Sequence, residues 1–394
     1  RLSAESYMIL NEPDKAKEIY DSRLSTVKAA TDKDHFFLGS MYYGVGDWQS
    51  AAEEFLAMKD RSDSLGQSAN YQLAHSLFNT HNKLGALDAF KEAALASFDP
   101  EITKDAYLNY AKLSFDLNSD ASVYKTYMEK YPDPDEIDHI YSYIAVAALR
   151  AKDYNAALAA FDEIEELDDT MACNYMKANF LQAMDFRNAG AWKDAAERLK
   201  MAIHFGPEEN DMEELLTYYL ADTQFRDGNY EASLKTYRDL YNHNALSGTR
   251  EEGLIMFGMA YSYYKNGDYP MAVRWFGKFL DTSPKLYGRE AQVCIADCKF
   301  LQNNYTEAAE DYIAVAQKYP LKMDAYPYYQ AGLCYRLASN PARAAEVIEN
   351  AGELSPKARY YDETLMELGR SYTALKRSSD ARTCFNKVVE RNTL

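Results

Sequence analysis

The chain has 394 residues, of which 47% are hydrophobic, and 43 Lys+Arg against 61 Asp+Glu give a net charge of −18. That hydrophobic share belongs to a folded protein and excludes a disordered one. The acidic balance, with no run of Lys or Arg, argues against nucleic-acid phosphates and anionic membrane surfaces as partners, and no apolar stretch approaches the ~20 residues that a bilayer-spanning helix needs.

Read from the N-terminus, a small residue recurs at Ala4, Gly39, Ala74, Ala111, Ala145, Ala183, Ala221, Ala260, Ala296, Gly332 and Gly369. At a constant distance after each comes a second small or slim residue: Ala16, Ala51, Ala86, Val123, Ala157, Ala195, Ser233, Ala272, Ala308, Ala344 and Ala381. One helical turn further on stands a bulky one: Tyr20, Phe55, Phe90, Tyr127, Phe161, Leu199, Tyr237, Phe276, Tyr312, Ile348 and Phe385. The period is about 36 residues, and a fixed period of that size marks a stacked repeat protein. About eleven helix pairs are predicted, forming one continuous solenoid over residues 1–394, because a single pair cannot bury its apolar face alone. Replacement of Ala by Val123 and the Tyr131-Pro132 ending make the unit around Ala111 irregular, so a bend or longer connector is expected there.

One unit shows the grammar. Met256, Met259, Ala260 and Tyr263 follow helical spacing. Lys265-Asn266-Gly267-Asp268 breaks that helix, since Gly267 suits the left-handed conformation that ends one. Tyr269 opens a second helix carrying Ala272, Phe276, Phe279 and Leu280, and Asp281-Thr282-Ser283-Pro284 ends it.

This grammar resembles the tetratricopeptide repeat family. The Gly-x-aromatic turn reads Gly46-Asp47-Trp48, Gly190-Ala191-Trp192, Gly228-Asn229-Tyr230 and Gly267-Asp268-Tyr269. It weakens to Lys152-Asp153-Tyr154 and Asn303-Asn304-Tyr305. The terminal proline is matched at Pro207, Pro284, Pro320 and Pro356. The resemblance implies an all-α, right-handed superhelix that acts through its surface. The Tyr-Pro endings (Lys130-Tyr131-Pro132 and Lys318-Tyr319-Pro320) and the long period look like the repeats of bacterial envelope proteins, which favours a periplasmic or envelope location over a cytoplasmic one. The chain starts and stops without polar capping helices, so a piece of a longer protein, or a mature form cut from one, is expected, and its uncapped ends offer a route to self-association.

No catalytic, metal or cofactor site is predicted. Cys294 and Cys298 lie one turn apart on one helix beside Ala296 and read as core, because free Cys is among the most buried residue types. The six His are scattered. Gly44-x-Gly46 lacks the rest of a nucleotide fingerprint, and Asp133-Pro134-Asp135-Glu136 lacks the glycine and terminal glutamate of a calcium loop. Asn304-Tyr305-Thr306 is a glycosylation pattern in a turn that the repeat already dictates.

The family resemblance implies that first helices line a concave groove. Its positions, three before and four after each small residue, are mostly aromatic. The central stretch carries Phe180, Arg187, Tyr218, Asp222, Phe225, Phe257, Tyr261 and Tyr264, with Arg226 and Lys265 at its border. The expected partner is a protein or peptide with apolar anchors and a few charges, acidic rather than basic there. Rings of this kind are enriched in binding hot spots. The alternative is that these rings are buried against adjacent first helices. The Lys and Asn clamp with which some family members hold a terminal carboxylate is absent. A second functional expectation is a structural subunit that assembles through its outer face or ends.

Overall fold

The computed structural model describes all residues except 1, 11, 25–29, 133–135, 208–210, 283, 352–353 and 393–394. The acidic stretch 133–135, Ser283 and both chain ends therefore lie outside the described residues. The chain divides into two compact units, residues 1–178 and 179–394.

Unit 1 is a run of antiparallel helix pairs: α1 Leu2–Ile9 with α2 Pro13–Leu24, α3 Asp32–Gly44 with α4 Trp48–Leu56, and α5 Ser64–Asn79 with α6 Lys83–Ala96. Then come α7 Pro100–Asn118 with α8 Ser122–Lys130, and α9 Ile137–Arg150 with α10 Tyr154–Phe161. Helix α11, Asp169–Asn188, runs across the division and is followed by α12, Trp192–His204. Unit 2 continues with α13 Glu213–Arg226 and α14 Tyr230–Asn242, α15 Arg250–Lys265 and α16 Tyr269–Asp281, and α17 Gly288–Leu301 and α18 Tyr305–Lys318. It ends with α19 Tyr326–Leu337 and α20 Pro341–Glu349, then α21 Tyr361–Ala374 and α22 Ser378–Asn392. The described architecture is all-α; its one extended feature is a parallel bridge between Asp324 and Arg359, where two connectors meet.

The turns inside the pairs explain the sequence signature. At the end of α15 the Gly267 N–H donates to the Tyr264 carbonyl and the Asp268 N–H reaches back to Tyr263, at 3.1 and 3.0 Å. This closure needs a left-handed residue, and Gly267 has φ +82°. Asp268 then caps α16 by accepting from the Met271 N–H. Asp47, Asn82, Asp153, Asn229 and Asn340 cap their helices in the same way. The residue between glycine and aromatic is thus an N-cap, a role the sequence pattern alone left unassigned. Lys152 and Asn303 take the left-handed conformation although they are not glycine, at φ 61° and 63°, so the turn survives where the motif weakens. Pro356 is different: α20 already ends at Glu349, and the proline lies within the following connector.

The small and bulky positions form the core. All eleven small residues of the first helices are buried, as are the slim residues that follow them. Of the bulky residues only Phe385, on the last described helix, is half-buried. The fit is close. A Cβ on Gly258 of α15 would stand 2.5 Å from the Tyr237 ring of the preceding α14, so the second-helix ring packs against the next first helix. The irregular unit keeps this packing with a short α8 of 9 residues.

Ala296 is fully buried beside Ala308 and Tyr312. Ala296→Leu should overpack that crossing and lower stability by about 1–3 kcal/mol, measured by denaturant unfolding. An unchanged midpoint would contradict the crossing.

Candidate functional site

A cleft of about 440 Å3 opens in unit 2 between α13, α15 and the start of α17. It is lined by six of the eight residues expected from the sequence: Arg187, Tyr218, Asp222, Phe225, Phe257 and Tyr261. The other two stand beside it. Phe180 packs on Tyr219 at 5.7 Å between ring centroids, and Tyr264 packs on Tyr261 and Tyr269 at 6.2 and 6.1 Å. The lining also includes Tyr219, Arg226, Tyr237, Arg250, Glu251 and Tyr287.

The rings are half-buried, between the two readings that the sequence left open. Phe257 lies against Phe276, Phe279 and Tyr261 at 5.7, 5.0 and 5.0 Å and keeps part of its surface exposed to the cleft. Tyr287 covers it from outside, stacked at 5.1 Å and 25° and itself 45% exposed. Tyr287 holds a left-handed backbone, φ 60°, at the N-cap of α17, which aims its ring back over α15. The same spacing puts Phe115, four after Ala111, in the groove row, and that expectation is corrected. Phe115 is 6% exposed because Tyr124 and Tyr143 enclose it, so it belongs to the core of unit 1.

The charges are arranged around one carboxylate. Asp222 Oδ2 accepts from Arg187 Nη2 at 2.5 Å and from Arg226 Nε at 2.9 Å. Arg187 is further fixed by the Tyr219 carbonyl and the Thr223 hydroxyl. Arg226 lies over the Trp192 ring. Arg250, at the mouth, is exposed and makes no ion pair among the described residues. Three guanidiniums thus face two carboxylates, Asp222 and Glu251, within a chain of strongly negative charge. Farther along unit 2 the groove cations Arg336 and Arg370 are both engaged by Glu367, which is fully buried.

Two units further on, an Asp is paired with Tyr at matching positions. In α17 and α18 the Tyr312 hydroxyl donates to Asp297, which also accepts from Tyr326 at 2.9 Å. Burial pushes the Asp297 carboxyl above the usual range, and the two hydroxyl donors oppose that shift. Asp222 and Tyr237 occupy the equivalent places in α13 and α14, but there the arginines take the carboxylate. Tyr237 is only 2% exposed, lines the cleft floor, and its hydroxyl has no hydrogen-bond partner among the described residues. Burial holds that hydroxyl well above its ordinary pKa. The sequence reading took Tyr237 as core only; its signal was the shared spacing of Asp222–Tyr237 and Asp297–Tyr312. Tyr287 had a weaker signal, its place between Pro284 and Gly288.

The cysteines are free. Cys294, Cys298, Cys334 and Cys384 are buried and Cys173 is exposed. Burial pushes the thiols of Cys294, Cys298 and Cys334 up to about 12, so they carry almost no thiolate at neutral pH. No group of His, Cys, Asp and Glu among the described residues could hold a metal ion, and no described helix is long and apolar enough to cross a membrane.

Residues 363–392, spanning most of α21 and all of α22, match the family model described as a tetratricopeptide repeat. The other helix pairs repeat the same small-to-bulky packing and turn, so the fold is an all-α solenoid of the tetratricopeptide type. No curated protein matches the sequence. Among solved structures the chain is similar to MamA (residues 41 to end) from Desulfovibrio magneticus RS-1, at 23% identity over 46% of this chain and 95% of that one, with a TM-score of 0.38. It is also similar to the P58(IPK) TPR domain, at 18% identity over 89% of this chain and 99% of that one, with a TM-score of 0.27. Likeness of this size assigns no role to any residue.

Two predictions follow from the hydroxyls and thiols. Tyr312→Phe should lower stability by about 1–3 kcal/mol, because it removes a bond to a half-buried carboxylate, whereas Tyr237→Phe should leave the unfolding midpoint unchanged or raise it. Equal losses would show that Tyr237 has a partner. In the native protein a thiol-specific disulfide reagent near pH 8 should titrate Cys173 alone, and all 5 cysteines after denaturation; fast native reaction of Cys294 would contradict its burial.

Proposed function

We propose that the chain is a non-catalytic scaffold that binds a protein or peptide partner through the aromatic cleft of unit 2. The observation that carries this reading is the half-exposed set Tyr218, Phe225, Phe257, Tyr261 and Tyr287 around one concave surface, bordered by arginines. Aromatic rings held in place by their neighbours give large contact area at low entropic cost. The most buried thiols are held protonated, and the cleft's carboxylate is tied up by two guanidiniums, which leaves neither group arranged as a nucleophile or base.

A second reading, assembly through the outer surface, is favoured by apolar side chains on the connectors. Leu286, Leu321 and Met323 are each about half exposed, at 53, 51 and 55%. Light scattering distinguishes the two, since outer-surface assembly raises the mass with concentration.

Replacing Tyr218 and Phe257 by Ala together should weaken partner binding strongly, at ~2 kcal/mol or more per anchor. The same pair should also cost stability, since both rings are half-buried. Tyr287→Asn is the cleaner probe. Asn tolerates the left-handed backbone, and among the described residues the ring it removes stacks on Phe257 alone. The expected outcome is a loss of about 2 kcal/mol in partner affinity with little change in melting. Undiminished binding would move the interaction surface away from the cleft.

A further inference from the structure

The cleft holds one donor that the scaffold leaves unused. At two other bulky positions the Tyr hydroxyl is bonded: Tyr20 donates to Asp34, and Tyr312 donates to Asp297, which stands where Asp222 does in its own unit. At Tyr237 the carboxylate at the equivalent place, Asp222, is drawn off by Arg187 and Arg226, and the hydroxyl faces the cleft with no partner among the described residues. A donor held at the cleft wall without a protein acceptor is left to water, and an acceptor brought by a ligand can take that place.

We infer that the cleft reads an acidic side chain, Asp or Glu, of an extended peptide. Its carboxylate accepts from the Tyr237 hydroxyl and lies among Arg226 and Arg250, while a neighbouring apolar residue packs between Phe257, Tyr261 and Tyr287. This rests on the scaffold reading above and specifies its ligand.

Three observations select this chemistry. The first is the donor itself: the arginines beside it supply only further donors, so an acceptor completes the group. The second is charge. The cleft lining presents three Arg against one Asp and one Glu. Unit 2 carries 26 Lys+Arg against 30 Asp+Glu, while unit 1 carries 17 against 31. A basic ligand is therefore drawn to unit 1, and an acidic one finds its least repulsive surface here. The third is reach. Tyr237 is 2% exposed, so a peptide backbone lying on the rings does not touch its hydroxyl, whereas a carboxylate on a side chain does. The aromatic surface continues past the cleft on both sides, through the Phe180–Tyr219 pair and through Tyr264. A chain passing through is thus favoured over a chain end.

The test uses the intact chain as bait for a phage-displayed library of random short peptides. The enriched sequences are then synthesised with amidated C-termini and titrated by fluorescence anisotropy. Enriched peptides should carry Asp or Glu next to an aromatic or aliphatic residue. Tyr237→Phe should weaken them about tenfold or more, as expected for a lost hydrogen bond to a charged group. Changing the peptide's Asp to Asn, or Glu to Gln, should weaken binding to the wild type similarly and cost little further on Tyr237→Phe, because the two changes remove one interaction. Tyr287→Asn should weaken the same peptides. Peptides that depend on Tyr287 but lack an acid, or ignore Tyr237→Phe, would leave the scaffold reading standing and overturn this one. A requirement for a free terminal carboxylate would assign the cleft to a chain end and likewise overturn it. Peptides indifferent to Tyr287→Asn, or no enrichment over that variant, would overturn both readings.

Discussion

Each helix pair depends on one contact, between the small residue of a first helix and the bulky residue of the second. Where the first-helix residue is glycine, as at Gly332, even a Cβ would stand 2.6 Å from the facing Ile348 side chain. That approach sets how near the two helices lie. The same bulky side chain then meets the next first helix, as Tyr237 does at Gly258. A side chain shared by two successive pairs makes each repeat complete only with its neighbour, the nearest-neighbour coupling that defines a solenoid. Everything facing outward, including the cleft, is positioned by this register.

The bulky position tolerates several residues, since Phe, Tyr, Leu and Ile all fill it. Choosing Tyr adds a hydroxyl that must be satisfied or left at a cost. In α17 and α18 the satisfaction is internal, through Asp297. In α13 and α14 two arginines from the groove face take the equivalent carboxylate, so a packing residue acquires a polar end directed at the cleft. A hydroxyl bonded within the core and one left open to the cleft here differ by the neighbours of one carboxylate, while the helices themselves are unchanged.

The charge distribution follows the same division. Most of the net negative charge lies in unit 1, and in unit 2 Asp222, Asp324 and Glu367 are compensated by arginines and Asp297 by hydroxyls. Surface ion pairs add little stability. Glu367, fully buried between Arg336 and Arg370, is another matter, because removing either partner leaves a charge where water cannot reach it.

The fold was legible in the sequence because its determinants are local and repeated. Ala296, Ala308 and Tyr312 lie within one unit, their spacing is fixed by helix geometry, and eleven copies in register leave little room for another reading. The candidate cleft was legible in outline, since six of its residues sit at positions that the repeat assigns to one face. The sequence could not assign the rest. Whether Phe257 is core or surface depends on Tyr287, which approaches from the next connector through a left-handed backbone. Phe115 is enclosed by Tyr143 of the following helix. The freedom of the Tyr237 hydroxyl depends on Arg187, 35 residues before Asp222, winning that carboxylate away. Spacing along a helix determines which residues share a face. Competition among side chains from different helices for one partner is settled only when those helices are packed together.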